Sequence, residues 1–241
     1  MKQLLLLIRH GESTWNVEHR LPGQLPGIEL TEAGRAQAQH LARALSMLPL
    51  STIISSPLAR AVETAEYLVR GRALTIQLEP DLMDIELGHW SGQNRDALSQ
   101  SDPAWKTFVR DPTVAPADVE TFPELEQRVV TAVDRWLKKD ETGPLPAFVT
   151  HADVIKLLLA HYLGLEAGRA RSLWIDNASV SVVTLETDRS PLVLAIGWNP
   201  QPGWLQPFTT ASEQAKSGHH PAYCVPVELS QEREFEVEIQ A

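Results

Sequence analysis

Two arginines and two histidines stand where apolar stretches of this sequence give way to polar ones. Arg9-His10-Gly11-Glu12 follows an apolar run at residues 3–8, Ser55-Ser56-Pro57-Leu58-Ala59-Arg60 follows Thr52-Ile53-Ile54, and Thr150-His151-Ala152-Asp153 follows Phe148-Val149. Guanidinium groups bind anions, and imidazole exchanges a proton near neutral pH. One Arg-His pair alone reads as a surface loop, and one histidine after a strand as a structural hydrogen-bonder. Three such junctions in one chain point instead to a shared cationic site. Ser13-Thr14-Trp15-Asn16 extends the first junction as a polar helix start whose free amides are expected to face an anion. Ser56 before Pro57 predicts a capping hydroxyl followed by proline at the first helical position. Arg60 then lies one turn inside, and because helical side chains lean toward the helix start, its guanidinium can reach back to the strand end.

The elements that must position these groups follow from periodicity. Apolar runs and alternations predict strands at 3–8, 52–56, 73–78, 146–150, 179–185 and 192–198. Helices are predicted at 32–46, 57–69, 124–138 and 153–163. In the second of these Leu58, Ala61, Val62, Ala65, Leu68 and Val69 share a face, and in the third Leu125, Val129, Ala132, Val133, Trp136 and Leu137 do so. Strands alternating with amphipathic helices give an α/β layered fold, in which ligands gather at the carboxyl ends of strands. Residues 88–122, with Asp102-Pro103, Asp111-Pro112 and Pro116, read as an excursion of short helices beside the sheet. Its Trp90, Trp105 and Phe108 either pack a leaving group or belong to the core. The domain is expected to span 1–198 and to be followed by a Pro-rich extension at 199–241. There Glu234-Phe235-Glu236-Val237-Glu238-Ile239 alternates as an appended edge strand or forms an acidic tail.

Over roughly residues 3–198 the chain resembles the histidine phosphatase superfamily, also called phosphoglycerate mutase-like. The resemblance rests on Arg9-His10-Gly11, on Ser56-Pro57-Leu58-Ala59-Arg60-Ala61-Val62-Glu63-Thr64-Ala65, and on Thr150-His151, in that order. It implies a three-layer α/β sandwich with a mixed, mostly parallel sheet flanked by helices. It implies His10 as a nucleophile that becomes a phosphohistidine, Arg9, Arg60 and His151 as a phosphate clamp, Asn16 as a further phosphate contact, and Gly23, with Gln24, in a loop lining the pocket. Leu82-Met83-Asp84-Ile85-Glu86-Leu87-Gly88-His89-Trp90-Ser91-Gly92 is similar to the segment that holds the proton donor. Relatives carry glutamate where Asp84 falls, so Asp84 is the expected acid, with Glu86 in reserve two residues on. Ala152 stands where relatives often have glycine.

The activity this implies is hydrolysis of a small phosphorylated metabolite by a phosphoric monoester hydrolase of the broad phosphatase branch. The alternatives are a cofactor-dependent phosphoglycerate mutase-type phosphotransferase and an inactive phosphate-binding relative. A neutral imidazole avoids the repulsion an anionic nucleophile meets at a phosphomonoester, and fixed guanidinium groups meet the charge of the transferring oxygens. Arg9 and Arg60 fill that place with a cationic His151 beside them, so neither metal nor cofactor is expected. A mildly acidic optimum follows, because a protonated carboxyl is also wanted.

Composition narrows the partners. The 241 residues carry 21 Lys and Arg against 31 Asp and Glu, a net charge of −10, which gives no field to draw the chain to nucleic acid or an anionic membrane. Cys224 stands alone, which excludes an internal disulfide and a multi-cysteine zinc site. Ser230 lies six residues after it, so the Cys-x5-Arg loop of thiol phosphatases is missing. Gly-x4-Gly-Lys-Ser/Thr and His-Glu-x-x-His are missing too. His219-His220, in the Pro-rich stretch, is read as solvated. The opening apolar run is too short for a secretory signal, and a cytoplasmic location is expected.

Overall fold

The computed structural model describes residues 2–201. The first strand, β1 (Lys2–Arg9), is followed by a short helix α1 (Thr14–Val17) and by α2 (Glu32–Ala44). Then come β2 (Thr52–Ser55), α3 (Ala59–Val69) and β3 (Ile76–Leu78). The excursion holds α4 (Arg95–Ser101) and α5 (Pro103–Arg110), after which α6 (Phe122–Leu137), β4 (Pro146–Thr150), α7 (Ala152–Leu163), β5 (Val180–Glu186) and β6 (Leu192–Trp198) complete the fold. The six strands lie in the order β3-β2-β4-β1-β5-β6. The first four are parallel to one another, and β5 and β6 run antiparallel to their neighbours. This is the expected mixed, mostly parallel sheet between helical layers.

The continuous apolar run of β1 has its cause in that layering. Leu5 and Leu7 point into one core with Ile54 and Phe148, against α6, α7 and the excursion. Leu6 and Ile8 point into the other with Ile53, Ala147 and Val149, against Leu41 of α2 and Ala61, Ala65 and Leu68 of α3. A strand buried on both faces has no polar side to show. Helices α2 and α3 thus cover one face and α6 and α7 the other. The crevice between the carboxyl ends of the adjacent strands β1 and β4 is therefore where an open α/β sheet offers room for a ligand.

Two local expectations are corrected and one open alternative is decided. The strand predicted at 73–78 shortens to Ile76–Leu78, an edge strand paired on one side only. The helix predicted from 57 begins at Ala59 with Leu58 at its cap position, so Pro57 precedes the helix and Ser56 does not cap it. Trp90, Trp105 and Phe108 are all buried and form a tilted and edge-on aromatic stack with Phe122. They pack the excursion onto α6 as part of the core, with the Trp90 indole N–H donating to Asp102 at 2.9 Å. The alternating segment at 234–239 and most of the Pro-rich extension lie outside the described residues. Among the described residues no helix is long and apolar enough to cross a membrane. Truncating Trp105 to alanine is expected to cost about 3–5 kcal/mol in denaturant unfolding, the usual loss for a buried aromatic. A loss below about 1 kcal/mol would mean that the ring is not core.

Candidate active site

Parallel pairing brings the three junctions to one edge of the sheet. Arg9 is in register with Thr150, and Ser55 with Val149, so β1, β2 and β4 end side by side. The ladder continues one step past the strands, with His10 N–H donating to Thr150 O at 3.0 Å and Ser56 N–H to Val149 O at 2.9 Å. His10 and His151 emerge next to each other, their ring centroids 5.2 Å apart.

The His10 ring is held in one tautomer. Its Nδ1 lies 2.7 Å from the carbonyl oxygen of Gly11, which can only accept, so Nδ1 carries the proton and Nε2 presents its lone pair. Burial, then the Arg60 and Arg9 charges, push the His10 pKa well below the usual imidazole value, which keeps the ring neutral. The Gly11 turn is locked in its own right. Gly11 N–H donates to Thr64 Oγ1 at 3.1 Å, and a Cβ at Gly11 would fall 2.5 Å from the carbonyl oxygen of Gly34. Only glycine allows that approach of α2 to the loop.

Arg60 is wholly buried. Its Nη2 donates to Gly23 O at 2.9 Å and to Asp84 Oδ2 at 3.2 Å. Its Nε and Nη1 are buried without a hydrogen-bond partner among the described residues. Buried donors of a cation in this condition leave a hydrogen-bonding capacity that an anion could satisfy. Arg9 is fixed by a 2.8 Å bond from Nη1 to Ile175 O. His151 Nε2 lies 2.9 Å from Ser56 Oγ, and its Nδ1 lies 3.7 Å from Asp84 Oδ2. Ser56 thus steers a histidine rather than capping a helix, a role that needs β2 and β4 to be adjacent and so was invisible in sequence.

Asn16 is tied to the His10 turn through Asn177. Its Oδ1 accepts from Ser13 N at 3.0 Å, from Ser13 Oγ at 3.0 Å and from Asn177 Nδ2 at 3.3 Å, so the amide nitrogen is the end left to donate outward. The amides expected to face an anion are instead used locally. Ser13 and Asn16 form a reciprocal capping box, and Thr14 N–H donates to Glu29 O. Gly23 has φ +46°, and a Cβ there would fall 2.8 Å from Ser91 Oγ. Its observed part is the carbonyl that holds Arg60. Gln24 Nε2 donates to Asp84 O at 3.0 Å.

The two carboxylates of the acid segment part company. Asp84 sits on Arg60 and beside His151, and its pKa is raised to about 6 because burial outweighs the Arg60 charge, with Asp153 adding to the rise. Glu86 turns away, its Oε1 accepting the Gly88 N–H at 3.0 Å. The cationic His151 of the sequence reading is corrected for the free protein. Burial, then Arg60, His10 and Arg9, drive its pKa well below the usual value. An anion against Nδ1 works in the opposite direction.

Residues 5–197 match the histidine phosphatase superfamily (branch 1). The chain belongs to that superfamily. It is 32% identical over 194 residues to the protein named "Probable phosphoglycerate mutase GpmB" of Cronobacter sakazakii, covering 80% of this chain and 88% of that one. The GpmB of Photorhabdus laumondii is 34% identical over the same length and coverage. Among solved structures, the alpha-ribazole phosphatase of Shigella flexneri superposes with a TM-score of 0.73 at 27% identity, covering 81% of this chain and 96% of that one. The YhfR protein of Bacillus stearothermophilus gives 0.74 at 34% identity, covering 81% and 96%. A mycobacterial glucosyl-3-phosphoglycerate phosphatase gives 0.71 at 26% identity, covering 83% and 99%.

Sequence reasoning missed three residues that support this candidate site. Thr64 lies inside a quoted motif, yet its double role, accepting from Gly11 N and donating to Arg60 O at 2.8 Å, needs the α3–loop contact. Asn177 donates to His10 O at 3.2 Å as well as to Asn16. The next residue, Ala178, sits at φ +49°, a conformation that an alanine gives no hint of. Arg128 reads as one more charge on the polar face of α6. Replacing Arg60 with glutamine is expected to weaken inorganic phosphate binding by about 10- to 100-fold in titration calorimetry, the loss typical of hydrogen bonds to a charged group. Glu86→Gln is expected to leave that affinity unchanged, and an effect as large as that at Arg60 would place Glu86 in the pocket.

Proposed function

We propose that the protein is a phosphomonoester hydrolase that works through a phosphohistidine at His10 and acts on a small phosphorylated metabolite without a metal ion. The observation that carries this reading is the pairing of a tautomer-fixed, neutral His10 with the unpartnered Nε and Nη1 of buried Arg60. One supplies a nucleophile and the other a place for the oxygens of the group it attacks. Relatives named as phosphatases of phosphorylated small molecules support the substrate class.

The proposed steps are these. The ester phosphate enters with its oxygens on Arg9, Arg60, His151 and the Asn16 amide. The His10 Nε2 lone pair forms an N–P bond as the P–O bond to the leaving group breaks. Asp84, protonated, gives its proton to the departing alkoxide. Water then enters, Asp84 takes its proton, the new P–O bond forms and the N–P bond breaks, returning His10 and releasing inorganic phosphate. Preorganised donors of this kind are each worth about 10²- to 10³-fold in rate, and a positioned acid–base group about 10²- to 10⁴-fold. The guanidinium groups provide the charge a metal would otherwise supply.

The pH dependence has a definite sign. Asp84 must hold a proton in the first step, and with a pKa of about 6 it loses it as pH rises through that value. His10 must be neutral, and its lowered pKa keeps it so there. Phosphoenzyme formation from an alkyl phosphate is expected to fall about tenfold per unit above pH 6. A profile flat from about pH 5 to 9 would sink the assignment of the acid. His10→Ala is expected to abolish turnover and the acid-labile phosphate on the protein. Asp84→Asn is expected to slow turnover by about 10²- to 10⁴-fold while still trapping that phosphate. The rates are expected to be the same with and without EDTA.

The names of the GpmB relatives favour one rival, a mutase that returns the phosphoryl group to a hydroxyl of phosphoglycerate. Partition of labelled phosphoenzyme between 3-phosphoglycerate and water decides between them. Predominant release of inorganic phosphate is the outcome expected here.

A further inference from the structure

Asp84 is one methylene shorter than the glutamate expected at its place, so its carboxyl reaches the site only if its backbone is held close. That backbone is gripped from α6. The five N–H groups of Arg128 meet five acceptors. Nε donates to Glu120 Oε1 at 2.9 Å and Nη2 to Glu120 Oε2 at 2.8 Å, a two-pronged pairing. Nη1 donates to Asp81 O at 2.8 Å and Met83 O at 3.2 Å, and the remaining Nη2 hydrogen reaches Asp84 O at 3.3 Å. Glu120 in turn takes the Glu86 N–H on Oε2 at 3.1 Å, and its own N–H donates to Glu86 O at 2.8 Å. One ion pair therefore binds the backbone on both sides of Asp84, while neither side chain hydrogen-bonds to His10, Arg9, Arg60 or His151. Arg128 touches that cluster only through its charge, which adds to the lowering of the His151 pKa and which lysine would keep.

We propose that Arg128, oriented by Glu120, is the positioning residue for the general acid, setting the reach of Asp84 toward the leaving oxygen. This rests on the phosphohistidine reading and deepens it. Lysine is no substitute, because a flexible ammonium with three donors cannot span two carboxylate oxygens and three carbonyls at once. A misplaced acid harms only those esters whose leaving group needs a proton. A clamp that merely fastens α6 to the segment would slow all esters alike.

The experiment measures formation of the phosphoenzyme in a single turnover by rapid quench, for an alkyl phosphomonoester and for p-nitrophenyl phosphate, whose phenolate departs without a proton. Arg128→Lys and Glu120→Gln are each compared with the wild type, with inorganic phosphate binding as the check that the pocket is intact. The expected result is a loss of about 10- to 100-fold with the alkyl ester, a change of no more than a few-fold with the aryl ester, and unchanged phosphate affinity. A variant of either residue that binds phosphate normally and slows both esters equally, or neither, overturns the inference. Absence of phosphohistidine in the wild type would instead sink the underlying reaction scheme, so the two failures are told apart.

Discussion

The site is organised around one positive charge placed where water cannot reach it. A guanidinium as buried as that of Arg60 is costly unless its hydrogen bonds and its charge are answered. Gly23 O and Asp84 answer one nitrogen, and the other two have no hydrogen-bond partner among the described residues. The same charge, added to burial, holds His10 and His151 toward their neutral forms. For Asp84 the two effects oppose each other, and burial wins, with its pKa settling near 6. A neutral imidazole and a protonated carboxyl are thus compatible in one pH window.

The parallel strand ends supply the geometry that places this charge. Register sets His10 beside His151, and the backbone ladder reaches one residue past β1 and β2 to fix His10 and Ser56. The remaining precision comes from small groups. Thr64 joins Gly11 to Arg60, Ser56 joins β2 to His151, and Asn177 joins the β5 approach to both His10 O and Asn16. Close approach of Gly11 and Gly34 brings α2 against the loop, leaving no room for a side chain at either place.

The departures from the family pattern are absorbed locally. Ala152 is the first residue of α7, and its methyl packs on the apolar core beneath the sheet. Asp84 is short, but the segment that bears it is tied from α6 by Arg128 and from the first loop by Gln24. Glu86, which shares the segment, is spent on the turn at Gly88. The neighbours of each carboxyl, more than its residue type, separate Asp84 from Glu86.

Much was legible in the chain because the signals were local. Apolar runs bounded by polar residues placed β1, β2 and β4, and amphipathic periods placed α2, α3, α6 and α7 to within a few residues. The strand-end rule, with the Arg-His-Gly string, directed attention to Arg9, His10, Arg60 and His151. What could not be read was every contact between segments distant in sequence. The aromatics of the excursion went to the core because α6 lies beneath them, the hydroxyl of Ser56 went to a histidine 95 residues away, and the charge on His151 depends on what surrounds it. Residue type and spacing determine which chemistry a chain can attempt, since donors, acceptors and periodicity are properties of the covalent string. Burial and neighbouring charge exist only once the chain has closed on itself, and they decide which of those groups is neutral, which is aimed and which is free to bind.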